Sequence, residues 1–278
     1  MRKTKTALIL LAAASVAMTV SCHRSDKHSE DEILFSYMTA ERSFRLDGSA
    51  ADYGEDHDLS FGSSARLILP QVLRGRDATD LRDSILTLAF GRSAGNPDTL
   101  VANSLADRAA EIGYAVSDTV LPDSVIAATP NFPSRYDGFY SVVSDVETLT
   151  GSIVSYGVTY STYIPHAAHG MYGVSYVNYD IDLMRVISLE RLFTPEGIDA
   201  LPEIIRQTAV DMASVIGKTD ITALPANDNF CITSDNNIVF AYQPYEVASY
   251  AQGVIEIPLP AYMLANYLTE YGTQLLLQ

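Results

Sequence analysis

Cysteine is almost absent from this chain, whose 278 residues contain two cysteines and no tryptophan. Cys22 ends the segment "TVSC", directly behind an apolar N-terminal run, and Cys231 stands in "NFCITS". If Cys22 carries lipid, Cys231 has no partner, and an intramolecular disulfide is excluded even in an oxidising compartment. The alternating apolar residues around Cys231 predict a buried strand thiol.

Long apolar runs are also scarce, and the one at residues 7–20, "ALILLAAASVAMTV", falls short of the about 20 residues that span a membrane comfortably. Basic residues at positions 2, 3 and 5 precede it, which is the layout of a secretory signal. "TVSC" resembles a bacterial lipobox, so the sequence predicts a lipoprotein signal peptide at 1–21, a lipidated Cys22 and a flexible tether at 22–32. An ordinary cleaved signal with an incidental cysteine is the alternative.

This N-terminus predicts an extracytoplasmic protein, held by lipid on a bacterial membrane. An acidic cluster at 30–32 resembles, weakly, the export signals of surface lipoproteins in the Bacteroides group. The outer membrane is therefore the favoured location, and the periplasmic and surface faces both stay open.

Positive charge is limited, with 18 Lys and Arg against 34 Asp and Glu, a net charge of −16. Loss of the three basic residues in 1–21 changes the balance to 15 − 34 = −19. The part from residue 136 onward has four basic and sixteen acidic residues, 4 − 16 = −12. Such a surface repels nucleic acid and attracts cationic partners, or it only keeps the protein soluble.

Catalytic motifs are absent too: the sequence has no G-x-S-x-G, S-x-x-K or H-E-x-x-H. "GKT" at 217–219 is no phosphate loop, because Met212 replaces the first glycine. His166 and His169 are three residues apart in "HAAHG", but in a loop and without a third ligand nearby. We therefore predict no enzyme activity, no metal and no cofactor.

Periodicity predicts an α+β fold of mostly antiparallel sheets with packed helices, in two small modules, 33–135 and 136–278, separated near a proline-rich stretch. Alternation predicts strands at 33–46, 64–73, 140–163, 172–183, 229–234, 237–242 and in "GVIEIP". Helical spacing predicts helices at 77–90, at 98–112 with Asp98 as cap, at 198–216, just after Ser188, and in "PAYMLANYLTEYG" with Gly272 after its end.

Two stretches, "AAHGMYGVSYVNYDIDLMRVISLERLF" and "NNIVFAYQPYEVASYAQGVIEIPLPAYML", resemble a bacterial domain of unknown function. That domain is found at the C-terminal end of RsiV-type anti-sigma factors and beside the catalytic domain of PdaC-type peptidoglycan deacetylases, and residues 33–118 resemble its companion domain. The resemblance implies a non-catalytic module that binds a cationic protein such as lysozyme, or one that binds peptidoglycan. A hydrolase or deacetylase is a distant third, since the PdaC-type catalytic domain is missing.

Candidate binding residues flank the loop at 164–171 and fill "YQPYEVASYAQGVIEIP", residues 242–258. Buried tyrosine rings are the usual centres of specific interfaces. The alternative is a strand–turn–strand crossover that the fold itself requires, and the resemblance implies that His169 and Gly170 form a structural corner bonded to a neighbouring strand. The candidates are His166, His169, Tyr160, Tyr163, Tyr172, Tyr176, Tyr245, Glu246 and Tyr250.

Overall fold

The computed structural model describes residues 29–47, 59–111, 115–117, 138–164, 167–212 and 227–277. The predicted signal peptide at 1–21 and the predicted lipidation site Cys22 lie outside these ranges. No helix in the described ranges is long and apolar enough to cross a membrane.

The strands are β1 Ile33–Asp47, β2 Leu59–Leu73, β3 Arg76–Asp77, β4 Ala115–Ser117, β5 Gly138–Leu149, β6 Ile153–Tyr163, β7 Met171–Asp180, β8 Arg185–Val186, β9 Phe230–Ile232, β10 Asn237–Tyr242 and β11 Ile255–Pro260.

The helices accompany these strands and complete an α+β fold, which confirms the predicted class. Two short 3-10 helices, at Tyr250–Gln252 and Ala261–Tyr267, flank β11. The α-helices are α1 Thr79–Phe90, α2 Pro97–Glu111, α3 Leu189–Leu192, α4 Pro195–Asp211 and α5 Glu270–Leu276.

The larger sheet runs in the order β4-β1-β2-β5-β6-β7-β8, with β3 paired to β2. Its pairs are antiparallel except β2 with β5, which run parallel from Phe61 opposite Gly138 to Leu67 opposite Ser144. A parallel pair needs a long crossover, and α1 and α2 lie within this one. Strands from both sides of the predicted module boundary thus share one sheet, and the boundary itself, in 118–137, stays a prediction.

Two hydrophobic cores lie on opposite faces of the larger sheet. Val154 belongs to the first core, with α1 and α2, whereas its neighbour Ile153 belongs to the second. This follows from the two-residue period of a strand, which points successive side chains to opposite faces. The second core fills the space between the smaller sheet, of order β11-β10-β9, and helices α4 and α5.

The predicted strand at 140–163 is wrong in one respect, because it is a hairpin of β5 and β6. Thr150 ends β5, and its hydroxyl accepts hydrogen bonds from the backbone N–H groups of Ser152 and Ile153. The alternation continues through this turn, so periodicity alone gave no sign of the break. The predicted antiparallel pair around the 164–170 loop is confirmed as β6 and β7.

Helix ends also differ from the predictions. Asn96, not Asp98, caps α2, since its side chain accepts the N–H of Asp98 at 2.9 Å. Helix α4 begins at Pro195, earlier than predicted, because the Thr194 hydroxyl accepts the N–H of Gly197 at 3.1 Å.

The predicted C-terminal helix is also interrupted. A 3-10 helix, Ala261–Tyr267, is followed by a separate α5, at whose start the Thr269 hydroxyl accepts the N–H of Gly272 at 3.0 Å. Gly272 therefore lies inside α5 instead of after its end.

Candidate functional site

Four aromatic side chains from two loops and the start of β7 meet at the surface. His169 precedes β7, Tyr172 lies in it, and Tyr245 and Tyr250 lie between β10 and β11. The His169 and Tyr250 rings stack with centroids 4.0 Å apart, and Tyr245 and Tyr250 stack at 5.7 Å. Tyr172 meets Tyr250 edge-on at 5.7 Å. We call these four residues the aromatic cluster.

Hydrogen bonds fix the orientation of the His169 ring. Its Nδ1 lies 2.8 Å from the Gly170 carbonyl oxygen, and its Nε2 lies 2.9 Å from the Tyr245 hydroxyl. A carbonyl oxygen only accepts, so Nδ1 carries the proton, and in the neutral imidazole Nε2 accepts from Tyr245. The bond to a neighbouring strand, implied by the resemblance, is not what the structure has, because the exposed His169 bonds to its own loop and to Tyr245.

The turn that follows β10 keeps the Tyr245 side chain exposed to solvent. Pro244 follows the strand, and Tyr245 has a left-handed φ of 70° with 57% of its surface exposed. The Glu246 carboxylate accepts the N–H of Gln243 at 2.7 Å, which closes the turn. A non-glycine residue at such a φ is uncommon and is often found at functional sites.

Gly253 lies near the end of the loop, close to the Tyr172 hydroxyl. Its φ of 74° is in the region that favours glycine, and a Cβ at this position would lie 2.8 Å from the Tyr172 hydroxyl oxygen. The capping box of Ser249 and Gln252 holds the preceding 3-10 helix.

Side-chain amides of the smaller sheet's loops attach this region to β7. Gln243 accepts the N–H of Val174 at 3.0 Å and donates to its carbonyl at 2.7 Å. Asn229 accepts the N–H of Tyr176 at 2.9 Å and donates to Val174 at 2.9 Å. Gly173 allows this approach, because a Cβ there would lie 2.7 Å from the Tyr160 ring and would collide with the Gln243 amide.

The structure thus brings four predicted candidates together and separates the others. Glu246 closes its own turn, Tyr163 stacks on Phe139, and Tyr160 packs against the first core. His166 lies outside the described residues. The described part of the chain holds no group of three or more potential metal ligands.

Acidic residues missed by the sequence analysis surround Tyr176. Its hydroxyl donates to Glu256 at 2.8 Å, and the Glu147 carboxylate lies over Gly157 beside the Tyr176 ring. Burial, then the charges of Asp145 and Glu256, raise the pKa of Glu147. Cys231 is buried nearby, and burial raises the pKa of its thiol to about 12. These residues come from β5, β7, β9 and β11, and no local motif connects them.

Comparison with known proteins finds a family match for part of this region. Residues 190–262 match the model of a protein family of unknown function, DUF3298. No curated protein sequence matches the chain. The chain has the fold of a crystal structure of a DUF3298 family member from Bacteroides fragilis, with a TM-score of 0.66, 18% identity and coverage of 90% of this chain and 99% of that one. A DUF3298 family protein from Pseudomonas aeruginosa aligns with a TM-score of 0.54, 12% identity and coverage of 87% and 97%.

These similarities establish the fold and a DUF3298 match over residues 190–262. The matched range includes Tyr245, Glu246 and Tyr250, whereas His169 and Tyr172 precede it. The relation to RsiV-type and PdaC-type proteins stays a prediction.

Proposed function

We propose that this protein is a non-catalytic, lipid-anchored extracytoplasmic binding protein whose aromatic cluster contacts a cationic protein of the lysozyme type. The observation that carries the proposal is the cluster itself. His169 and Tyr245 are exposed, and Tyr172 and Tyr250 are half-buried beside them. Hydrogen bonds fix His169 and Tyr245, and ring contacts hold Tyr250, before any partner arrives. Tyrosine is enriched at the residues that dominate binding energy, and preorganised side chains lose less entropy on binding.

The acidity of the chain supports a basic partner. The net charge of −16 accelerates the encounter with a cationic protein, and salt screens this attraction over about 8 Å at physiological ionic strength. Charge alone gives weak and promiscuous attraction. Specific affinity requires a desolvated centre, which the aromatic cluster would supply.

The experiment is titration of lysozyme into the full-length chain at several salt concentrations. We expect binding that survives moderate salt and weakens by more than about tenfold in Tyr250→Ser, because that ring stacks on both His169 and Tyr245. Tyr262→Ser is the matched control, since Tyr262 is 74% exposed in a different segment.

Two results would contradict the proposal. Loss of binding by about 0.3 M salt, with Tyr250→Ser and Tyr262→Ser equivalent, would show charge attraction without a specific site. Complete absence of lysozyme binding at low salt would exclude this partner.

Peptidoglycan is the second candidate ligand. The exposed ring of Tyr245, stacked on the half-buried ring of Tyr250, favours it, since an aromatic face packs well against the apolar face of a sugar ring. Retention of the protein by purified sacculi, but not by lysozyme, at about 0.3 M salt would support this candidate over the first.

A further inference from the structure

A groove of about 240 Å³ opens between β7, the segment from β8 to α3, and the residues just before β9. Its apolar lining includes Val186, Ile187 and Phe230. Val186 keeps 39% of its surface exposed, although Ile187 and Phe230 beside it are buried. Val186 is thus the apolar side chain that the groove leaves open to a ligand.

Two carboxylates, of Glu190 and Asp228, also line the groove, and none of the lining residues is basic. The Ser188 hydroxyl donates a hydrogen bond to Glu190, which lowers the pKa of that carboxyl and keeps it ionised. Asp228 has no hydrogen-bond or ion-pair partner for its carboxylate in the described part of the chain. Among the described residues, the groove therefore presents two negative charges and no basic side chain in its lining.

Apolar walls and two carboxylates complement a long side chain with an aliphatic stem and a cationic end. Lysine and arginine have this form, and they pack their stems on apolar surface while the charge stays at its edge. A metal ion fits less well, because the described residues offer no third ligand. We propose that the groove binds one lysine or arginine side chain of a basic protein partner.

The identity of that partner rests on the proposed function, whereas the chemistry of the groove does not. Tyr172, in the aromatic cluster, and Tyr176, in the groove, lie on the same face of β7, four residues or about 13 Å apart. A standard interface buries about 800 Å² per partner, so one protein surface can cover both places.

The test uses two small probes, N-acetyl-lysine methylamide and its uncharged analogue N-acetyl-norleucine methylamide, titrated into the full-length chain. We expect the lysine probe to shift the NMR signals of the Val186 and Ile187 methyl groups, and the norleucine probe to leave them in place. Equal shifts with both probes, or none with the lysine probe, would overturn the proposal.

Variants that each remove one carboxylate test whether the lysine probe binds at the groove. Asp228→Asn and Glu190→Gln should each weaken binding of the lysine probe by about two- to fivefold, in the range of exposed ion pairs. Asp199→Asn, on the exposed surface of α4, is the matched control and should change nothing. If all three variants weakened binding equally, the effect would come from the general negative potential of the protein and not from the groove. That result would overturn the proposal that the groove binds the lysine side chain.

The two proposals fail in distinguishable ways. If the lysine probe binds the groove while lysozyme does not bind the chain, the proposal for the groove is supported and the proposed lysozyme-type partner is wrong. If lysozyme binding depends on Tyr250 while neither the lysine probe nor Asp228→Asn has any effect, the proposed function stands and the groove does not.

Discussion

At the scale of single residues, Glu147 occupies a position in the fold that disfavours its ionised form. Its carboxylate lies over Gly157 next to the Tyr176 ring, where burial and the charges of Asp145 and Glu256 raise its pKa. A raised carboxyl pKa means that the folded protein holds the ionised form less favourably than the unfolded chain does. Ionised Glu147 therefore destabilises the fold at neutral pH.

Glu147→Gln is expected to raise the melting temperature at pH 7. The effect should be below about 1 kcal/mol, because the side chain is partly exposed and solvent screens its interactions. The benefit should shrink as the pH falls through the raised pKa of the folded state, and disappear below the usual carboxyl value of about 4.3. Thermal unfolding from pH 3 to 8, with Asp199→Asn as control, measures it. An equal benefit at pH 3 and pH 7 would exclude this explanation.

The aromatic cluster could be predicted only in part from the residue types in the sequence. The tyrosines of "YQPYEVASYAQGVIEIP" were visible in the sequence, and so was His169 beside Gly170. Their meeting depends on the loop before β7 reaching the loop after β10, since His169 and Tyr245 are 76 residues apart, and no local pattern encodes that contact. The sequence did not indicate Glu147 or Glu256 as site residues. An isolated glutamate in a strand pattern looks the same in sequence whether its side chain is partly buried or fully solvated.

At the scale of elements, one buried side chain on the face of β7 joins the two sheets. Asn178, 2% exposed, donates to the Phe230 carbonyl at 2.7 Å and accepts the N–H of Ile232 at 2.8 Å. Its oxygen also accepts the Ser155 hydroxyl at 2.7 Å. Asn178 thus joins β6 and β7 to β9, and with it the smaller sheet to the larger one.

Asn178→Ala should lower the free energy of unfolding by about 2–4 kcal/mol, since it leaves buried backbone groups of Phe230 and Ile232 without partners. Urea unfolding of the variant measures the loss. Gln207→Ala, which removes an exposed amide from α4, should stay within about 0.5 kcal/mol of the parent. A loss for Asn178→Ala no larger than that of the control would show that the smaller sheet is held by its apolar contacts alone.

Most elements could be predicted, whereas their boundaries and partners could not. The helical period gave α1 and α2, each of which buries one face, and the alternating pattern gave β6, β7 and β10. It failed at the Thr150 turn, where alternation runs on from β5 into β6, and at Gly272, which packs inside a helix. The parallel pairing of β2 with β5 could not be read either, since the sequence does not say which strands become neighbours.

At the scale of the whole molecule, the proposed site and the charge distribution favour the same kind of partner. The carboxylates of Glu147, Glu190, Asp228, Glu246 and Glu256 all lie in the part of the chain that also carries the aromatic cluster. A basic protein would meet a favourable potential there before it makes contact.

The predicted attachment to a membrane depends on Cys22, because a stable lipid anchor takes two or more acyl chains. Cys22→Ala should move the protein from the membrane fraction to the soluble fraction, and mass spectrometry of the parent should find acyl chains on Cys22. Val20→Ala, in the same signal segment, should remain with the membrane. Membrane retention of the Cys22→Ala variant would show that another element is the anchor.

The parallel pair of β2 and β5 also bears on how the chain folds. Ser64 and Ser141, whose hydroxyls are 3.2 Å apart, are separated by 77 positions in sequence. Contacts this distant form only after a large loop has closed, which slows folding relative to a protein built of local hairpins. The first core draws residues from both ends of that loop, so a nascent chain that ends before β5 cannot complete it. Until the second half arrives, apolar residues of β2 stay accessible, and the emerging chain would need protection from aggregation.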